Sequence, residues 1–314
     1  MTKRIAFPKT RLEFQKWFPD EKACLDYLRQ SRWSDGFVCP QCGSTRDPYS
    51  IEAYQRFECS GCGHQTSVTA GTVMHRTKMP LQAWFEGAYL VTTLTPGLSA
   101  VQFQRQLGIN TYETAFQMLH KLRAAMVRPE RDRIHGLVEA DETLIGGKKP
   151  GKRGRGAAGK VLVVGAIEVL GKNEKRERAG RLRLQVVPDA SARSLVGFIT
   201  DKVEPGSIIA TDDWLGYTGL EDKGYRHEVV GPKELEHIHH TFGNLKTWLK
   251  GTHHGVSSKH LQAYLNEFVF RHNRRRTPMA AFQTILGLAT HAEGPTYKQI
   301  YSAGNKGGWV HPSP

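Results

Sequence analysis

Two cysteine pairs constrain this chain more than any other feature. Cys39-Pro-Gln-Cys42-Gly43 and Cys59-Ser-Gly-Cys62-Gly63 are both C-x2-C knuckles, with 16 residues between Cys42 and Cys59. That gap lies inside the window for paired metal-binding knuckles. Zinc takes four ligands in a tetrahedron, and two tight loops of two thiolates each supply them. The pattern predicts a zinc ribbon whose metal is structural, because thiolates fill every position. Such a metal lets a stretch too short for a good core fold. A redox dithiol is the alternative, and two pairs at this spacing argue against it. His64 is left outside the ligand set. Cys24 reads as a small core residue of a short helix capped by Asp20.

The rest of the 314 residues is long enough for one or two further domains. No apolar run approaches the length of a membrane span. The basic N-terminus lacks the apolar core of a signal peptide. A soluble, cytoplasmic protein associated with the nucleoid is expected, with no membrane partner. The formal net charge of +14 suits a polyanion. Nucleic acid is the first choice, since no basic amphipathic helix points to an anionic membrane instead.

After the ribbon, Pro80 suits a first helical turn, and Trp84, Phe85, Ala88 and Val91 share a face. Pro96-Gly97 breaks the chain, and Ser99 with Gln102 forms a candidate capping box. Gly108-Ile-Asn110 is a short turn before Tyr112, Ala115, Phe116, Leu119, Leu122 and Met126 at helical spacing. This is a helix-turn-helix outline, whose second helix, about 111–127, would enter a major groove with Lys121 and Arg123 among its polar residues. A plain helical connector is the other reading.

From about 135 strands take over. Gly136–Glu142, Lys160–Val169, Arg181–Val187 and Ser207–Asp213 read as strands, with a helix over Ser191–Val203 before the last. That order is the one found in ribonuclease H-like α/β domains. Asp141 lies on the first strand and Asp212 ends the fourth. In that arrangement the two strands are neighbours, so the carboxylates would face each other. Paired carboxylates can hold magnesium or manganese for an in-line displacement at phosphorus.

Val138-Glu-Ala-Asp-Glu-Thr-Leu-Ile-Gly-Gly147, Ile209-Ala-Thr-Asp-Asp-Trp-Leu-Gly-Tyr217, the block from His240 to Ser257, Tyr264-Leu-Asn-Glu-Phe-Val-Phe-Arg-His-Asn-Arg-Arg275, the ribbon and the Thr-Ala-Gly-Thr stretch at 69–72 follow one another in order. With them the chain resembles bacterial insertion-sequence transposases that carry an N-terminal zinc ribbon. The resemblance spans roughly 15–290. It implies DDE-type transposition: a strand is hydrolysed at the element's end, and the freed 3′ hydroxyl attacks target DNA. By position Asp141 and Asp212 would be the two aspartates. Where glutamate is commonest, Asn244 stands, followed by Lys246, as in a subgroup of the family. Asparagine ligates without charge, so the site would be either active with a weaker third ligand or impaired. Glu267, Glu142 and Asp213 are acids that could substitute. Lys246 would contact a phosphate as a point charge.

Lys148, Lys149, Lys152, Arg153 and Arg155 form a Gly-rich basic loop that would follow a phosphate backbone, and Arg274 and Arg275 would do likewise. The expected division is helix and ribbon over 1–75, the helical segment over 76–130, the catalytic domain over 131–290 and a tail over 291–314. Double-stranded DNA is the expected partner, with a homo-oligomer pairing two element ends. Two other functions fit parts of the pattern: a DNA-binding relative without catalysis, and a zinc-ribbon adaptor for proteins.

Overall fold

Thr10 Oγ1 accepts from the Glu13 N–H and Asp20 Oδ1 from the Ala23 N–H, starting helices α1 (Arg11–Trp17) and α2 (Glu21–Arg32). Caps of this kind each stabilise a helix by about 1 kcal/mol. The computed structural model describes residues 6–52, 55–128, 131–146, 160–171 and 177–301. After α2 come β1 (Tyr49–Ile51), β2 (Arg56–Glu58) and β3 (Gln65–Ser67), then α3 (Leu81–Thr93), α4 (Ala100–Gln106) and α5 (Tyr112–Ala125). The second half runs β4 (Leu137–Ile145), β5 (Val161–Leu170), β6 (Arg178–Val187), α6 (Ala192–Lys202), β7 (Ile208–Thr211) and β8 (Arg226–Val229). Four helices follow: α7 (Glu236–His253), α8 (Leu261–Asn273), α9 (Pro278–His291) and α10 (Tyr297–Tyr301). No helix among the described residues is long and apolar enough to cross a membrane.

The described residues form two compact units. One combines the chain up to Arg128 with the chain from Arg276 onward, and the other is the stretch between, ending at Arg275. In the first unit, β1, β2 and β3 make an antiparallel meander. In the same unit the helices share an aromatic cluster. Phe14 lies 4.5 Å from Tyr89 and 5.4 Å from Phe282 between ring centroids, and Phe18 lies 4.7 Å from Phe85. Phe282 belongs to α9, whose Ala281, Ile285, Leu286 and Ala289 are buried as well. The sequence assigns residues 276–290 to the catalytic stretch. They pack here against α2 and α3, because those helices offer the apolar surface that the α9 stripe covers. Ser99 caps α4 by accepting from the Gln102 N–H, which is the Ser99 half of the expected capping box, and Gly108 at φ 60° turns the chain into α5.

The second unit is a five-stranded sheet in the order β6-β5-β4-β7-β8. The first three strands form an antiparallel meander; β7 runs parallel to β4, and β8 parallel to β7. Val163, Val164, Ala166 and Ile167 make β5 apolar on both faces, which suits the centre of a sheet covered on both sides. One face packs on α6 and Tyr217 through Val138, Ala140 and Ile209. The other packs on α7 and α8 through Val163, Ile167 and Ala210. An irregularity in the β5–β6 pairing falls between Ile167 and Val169. There Glu168 is clasped by the Arg181 side chain, by the Arg181 backbone N–H and by the His135 N–H.

Candidate active site

Strand register brings the two aspartates to one face of the sheet on neighbouring strands. β4 and β7 pair with Val138 opposite Ile209 and Glu139 opposite Ala210. Two residues further along each strand stand Asp141 and Asp212. Side chains two apart share a face of a strand. Ala210 packs on the α7 side of the sheet, so Asp212, just past the strand end, follows it to that side. Asp141 is confirmed there by its own contact with α7, described below. Both aspartates are half-buried. Asp212 Oδ1 accepts from the Trp214 N–H at 3.2 Å, and Asp141 Oδ1 from the Glu142 N–H at 2.7 Å. Burial raises the Asp141 pKa above the usual carboxylate range, and the nearby charges of Glu142 and Asp212 raise it further. A cation between the two acids would relieve that repulsion.

Helix α7 crosses this face at a height set by two contacts. The Ile238 N–H donates to Glu139 Oε2 at 2.9 Å, anchoring the first turn on β4. Gly165 lies opposite Asp141 in the sheet, and a Cβ there would come within 2.9 Å of Phe242 and of Leu184 and within 3.0 Å of Ile238. Only glycine lets the helix lie this close. The result brings His239 Nε2 to 3.0 Å from Asp141 Oδ2. The Asp141 side chain is 14% exposed and that of His239 41%, so the pair stands at the surface end of the sheet.

Sequence position points to Asn244 on this helix and not to His239. Five residues of α-helix place Asn244 about 140° around the axis from His239 and about 7.5 Å further along. Asn244 and Lys246 are exposed, and among the described residues no hydrogen bond or ion pair joins either to Asp141 or Asp212. Lys246, seven residues after His239, returns to within about 20° of its flank. The available signal was the histidine-rich start of the helix, Glu236-His-Ile-His-His, read together with the apolar stripe Ile238, Phe242, Leu245 and Leu249 that fixes which flank meets β4.

The acids considered as substitutes lie elsewhere. Glu142 points to the opposite face of β4, where Tyr217, fully buried, donates its hydroxyl to Glu142 Oε2 at 3.1 Å. Burial and the charge of Glu142 push the Tyr217 phenol well above its ordinary pKa. Glu267 is buried on α8, which packs against β6, two strands from β4, and its carboxylate lies 3.7 Å from Arg271. Asp213 is exposed beyond the end of β7.

The four cysteines converge as the knuckle spacing predicts. Among the described residues they are the one group of three or more candidate ligands whose atoms all lie within 4.8 Å of one another. Cys39 Sγ is 3.8 Å from Cys62 Sγ, and Cys42 Sγ 3.7 Å from Cys59 Sγ. Thiolates about 2.3 Å from one tetrahedral ion stand about 3.8 Å apart, so the cluster fits zinc. The knuckles repeat each other: Gly43 N–H donates to Cys39 O and Gly63 N–H to Cys59 O, with both glycines at φ 70°. The Gly61 N–H, 3.3 Å from Cys59 Sγ, helps lower that thiol's pKa to about 6.

The basic residues expected on DNA have different fates. Lys148, Lys149, Lys152, Arg153 and Arg155 lie outside the described residues. Arg123 cannot be a groove contact as placed, because α5 turns it into the core, where it is 1% exposed. Lys121 is half-buried with its ammonium 3.5 Å from His75 O, and burial lowers its pKa. Arg274 lies over the Phe270 ring at 4.1 Å. Arg275 is exposed and donates to the carbonyls of His272 and Ala179.

Residues 133–273 match the ISXO2-like transposase domain, and residues 19–65 match the transposase zinc-ribbon domain. A protein of Halobacterium salinarum described as an uncharacterized protein in transposable element ISH50 is 26% identical over 294 residues, covering 87% of this chain and 98% of its own length.

Proposed function

We propose, from the premise that this chain belongs to the insertion-sequence transposases with an N-terminal zinc ribbon, that it cuts and rejoins DNA at the ends of its element on the Asp141–Asp212 pair. The register of β4 against β7 is the observation that carries this reading. The strand order, with an antiparallel meander followed by two parallel strands, supports a ribonuclease H-like catalytic domain within 131–275. Divalent magnesium or manganese, when bound, would activate the attacking oxygen and stabilise the leaving one. The aspartates would hold such an ion beside the phosphate. Lys246, on the same flank of α7 as His239 and about 10 Å further along the axis, meets an oxygen of the same strand.

The ribbon holds a structural zinc through Cys39, Cys42, Cys59 and Cys62. In the segment 76–130, α4 and α5 act as a helix-turn-helix, presenting the exposed start of α5, Tyr112 and Glu113, rather than the buried Arg123. The basic loop from Lys148 to Arg155, with Arg274 and Arg275, tracks the phosphate backbone. Two copies pair the two element ends, and the protein works in the cytoplasm on the nucleoid.

A cleavage and strand-transfer assay on the element's own ends, with magnesium or manganese, tests this. Asp141→Asn and Asp212→Asn should each lower the rate by about 4 kcal/mol of barrier, roughly a thousandfold, with DNA binding kept. Wild-type protein that binds the ends and cuts nothing under either metal would mark a DNA-binding relative that has lost the chemistry.

A further inference from the structure

We propose that His227, on the edge strand β8, is a positioning residue for the reaction: through the hydroxyl of Thr211 it fixes the main chain at Asp212, and with it the direction in which that carboxylate is presented. This rests on Asp141 and Asp212 being the metal pair. Asp212 stands where the sheet stops holding the chain. The β4–β7 ladder ends at Glu139 opposite Ala210, and the β7–β8 ladder at Thr211 opposite Val229. Beyond them Asp212 is held by local contacts. Its Oδ1 accepts from the Trp214 N–H, and its carbonyl accepts from Thr211 Oγ1 at 2.7 Å. Thr211 is fully buried, and its hydroxyl oxygen has a second neighbour, His227 Nε2 at 2.8 Å.

A hydroxyl has one proton to give, and a carbonyl can only accept. The Thr211 proton therefore goes to Asp212 O, and the proton of the other contact comes from the imidazole. The chain runs one way, from His227 Nε2–H to Thr211 Oγ1–H to Asp212 O. Hydrogen bonds in such a row strengthen one another. Register places the donor. His227 lies opposite Ile209, two residues before Thr211, so both side chains are on the α6 side of the sheet, behind the Asp212 carboxylate. Burial lowers the His227 pKa, against an opposing pull from Glu221, so at neutral pH the ring is uncharged and acts by holding the hydroxyl. The imidazole keeps Thr211 in the rotamer that reaches Asp212 O. Without it the hydroxyl can turn away, the carbonyl is released, and the carboxylate loses its fixed aim. Hydrogen-bond partners that orient a metal-binding group are worth about 10–100-fold in metal affinity or activity.

The test uses the full-length, zinc-loaded protein. Manganese binding is read by electron paramagnetic resonance, beside single-turnover cleavage of the element's ends, DNA affinity and melting temperature. His227→Leu and His227→Asn bring no donor within reach of Thr211. Each should bind manganese and cut about tenfold less well, with DNA affinity and melting temperature kept. His227→Gln carries an amide N–H at the reach of Nε2 and should regain most of both. Thr211→Val breaks the same chain, so adding His227→Leu to it should cost little more. Leu and Asn variants that bind manganese and cut as wild type does overturn the role of His227 and leave the aspartate pair standing. So does a Gln variant as weak as the Leu variant, a double variant whose losses add, or activity that falls only in step with melting temperature. Wild type that binds manganese no better than Asp141→Asn overturns the aspartate reading and this one together.

Discussion

His272 shows how one side chain ties this fold to pH. It sits near the end of α8 with Nε2 3.3 Å from Gly180 O. Burial and the neighbouring charge of Arg275 lower its pKa to about 4. In the unfolded chain a histidine titrates near 6.5. Between these two values the unfolded state binds a proton that the folded state refuses. Stability is thus full above pH 6.5 and is lost as pH falls toward 4, by roughly 3 kcal/mol. Replacing His272 with Gln should flatten that dependence, and melting temperatures from pH 7 to 4 measure it. A wild-type curve that is already flat through this window would remove His272 from the account. The residue scale is also where the sequence was hardest to read. The cysteines declare themselves because knuckle geometry is local. His239 does not, because its partner is 98 positions away and only tertiary packing selects the flank of the helix that meets Asp141.

Legibility improves for whole elements and depends on what an element buries. β5 reads as a strand from its unbroken apolar run, and α6 from its capped amphipathic pattern. β8, Arg-His-Glu-Val at the sheet edge, carries no such pattern, because an edge strand buries little and can be polar. The seat of α7 is an element-scale property with a direct test. Gly165→Ala drives a methyl into Phe242 and Leu184, at a cost of about 1–3 kcal/mol in overpacking. Either these side chains give way or the helix lifts, and His239 with it. Urea unfolding should show the loss of stability. A variant with wild-type stability would mean that Phe242 and Leu184 yield without moving the helix.

At the scale of the whole molecule, the sequence gives little notice that residues 276–291 belong with the N-terminal half. An apolar stripe looks the same whichever core it joins, and nothing local in α9 names its partner. The structure makes the ribbon-bearing unit discontinuous, closed by a helix from beyond the sheet. A chain ended after Arg275 would leave the surfaces around Phe14, Phe85 and Tyr89 uncovered where Phe282 now packs. Losing a buried phenylalanine alone costs about 3–5 kcal/mol, and the whole α9 face more. Calorimetry of the truncated chain should lose the transition of the first unit and keep that of the second. Two retained transitions would show the N-terminal unit to be self-sufficient.

That discontinuity has a consequence during synthesis. Ribosomes deliver the N-terminus first, and domains generally fold in that order at about 5–20 residues per second. Here the earliest residues wait for α9. The sheet unit, about 150 residues emerging between the two parts, imposes a delay of roughly 7 to 30 s. The half of the protein that bears the aspartates can therefore mature on the ribosome while the half that bears the cysteines is still an unfinished nascent chain, open to chaperones and free to take up its zinc.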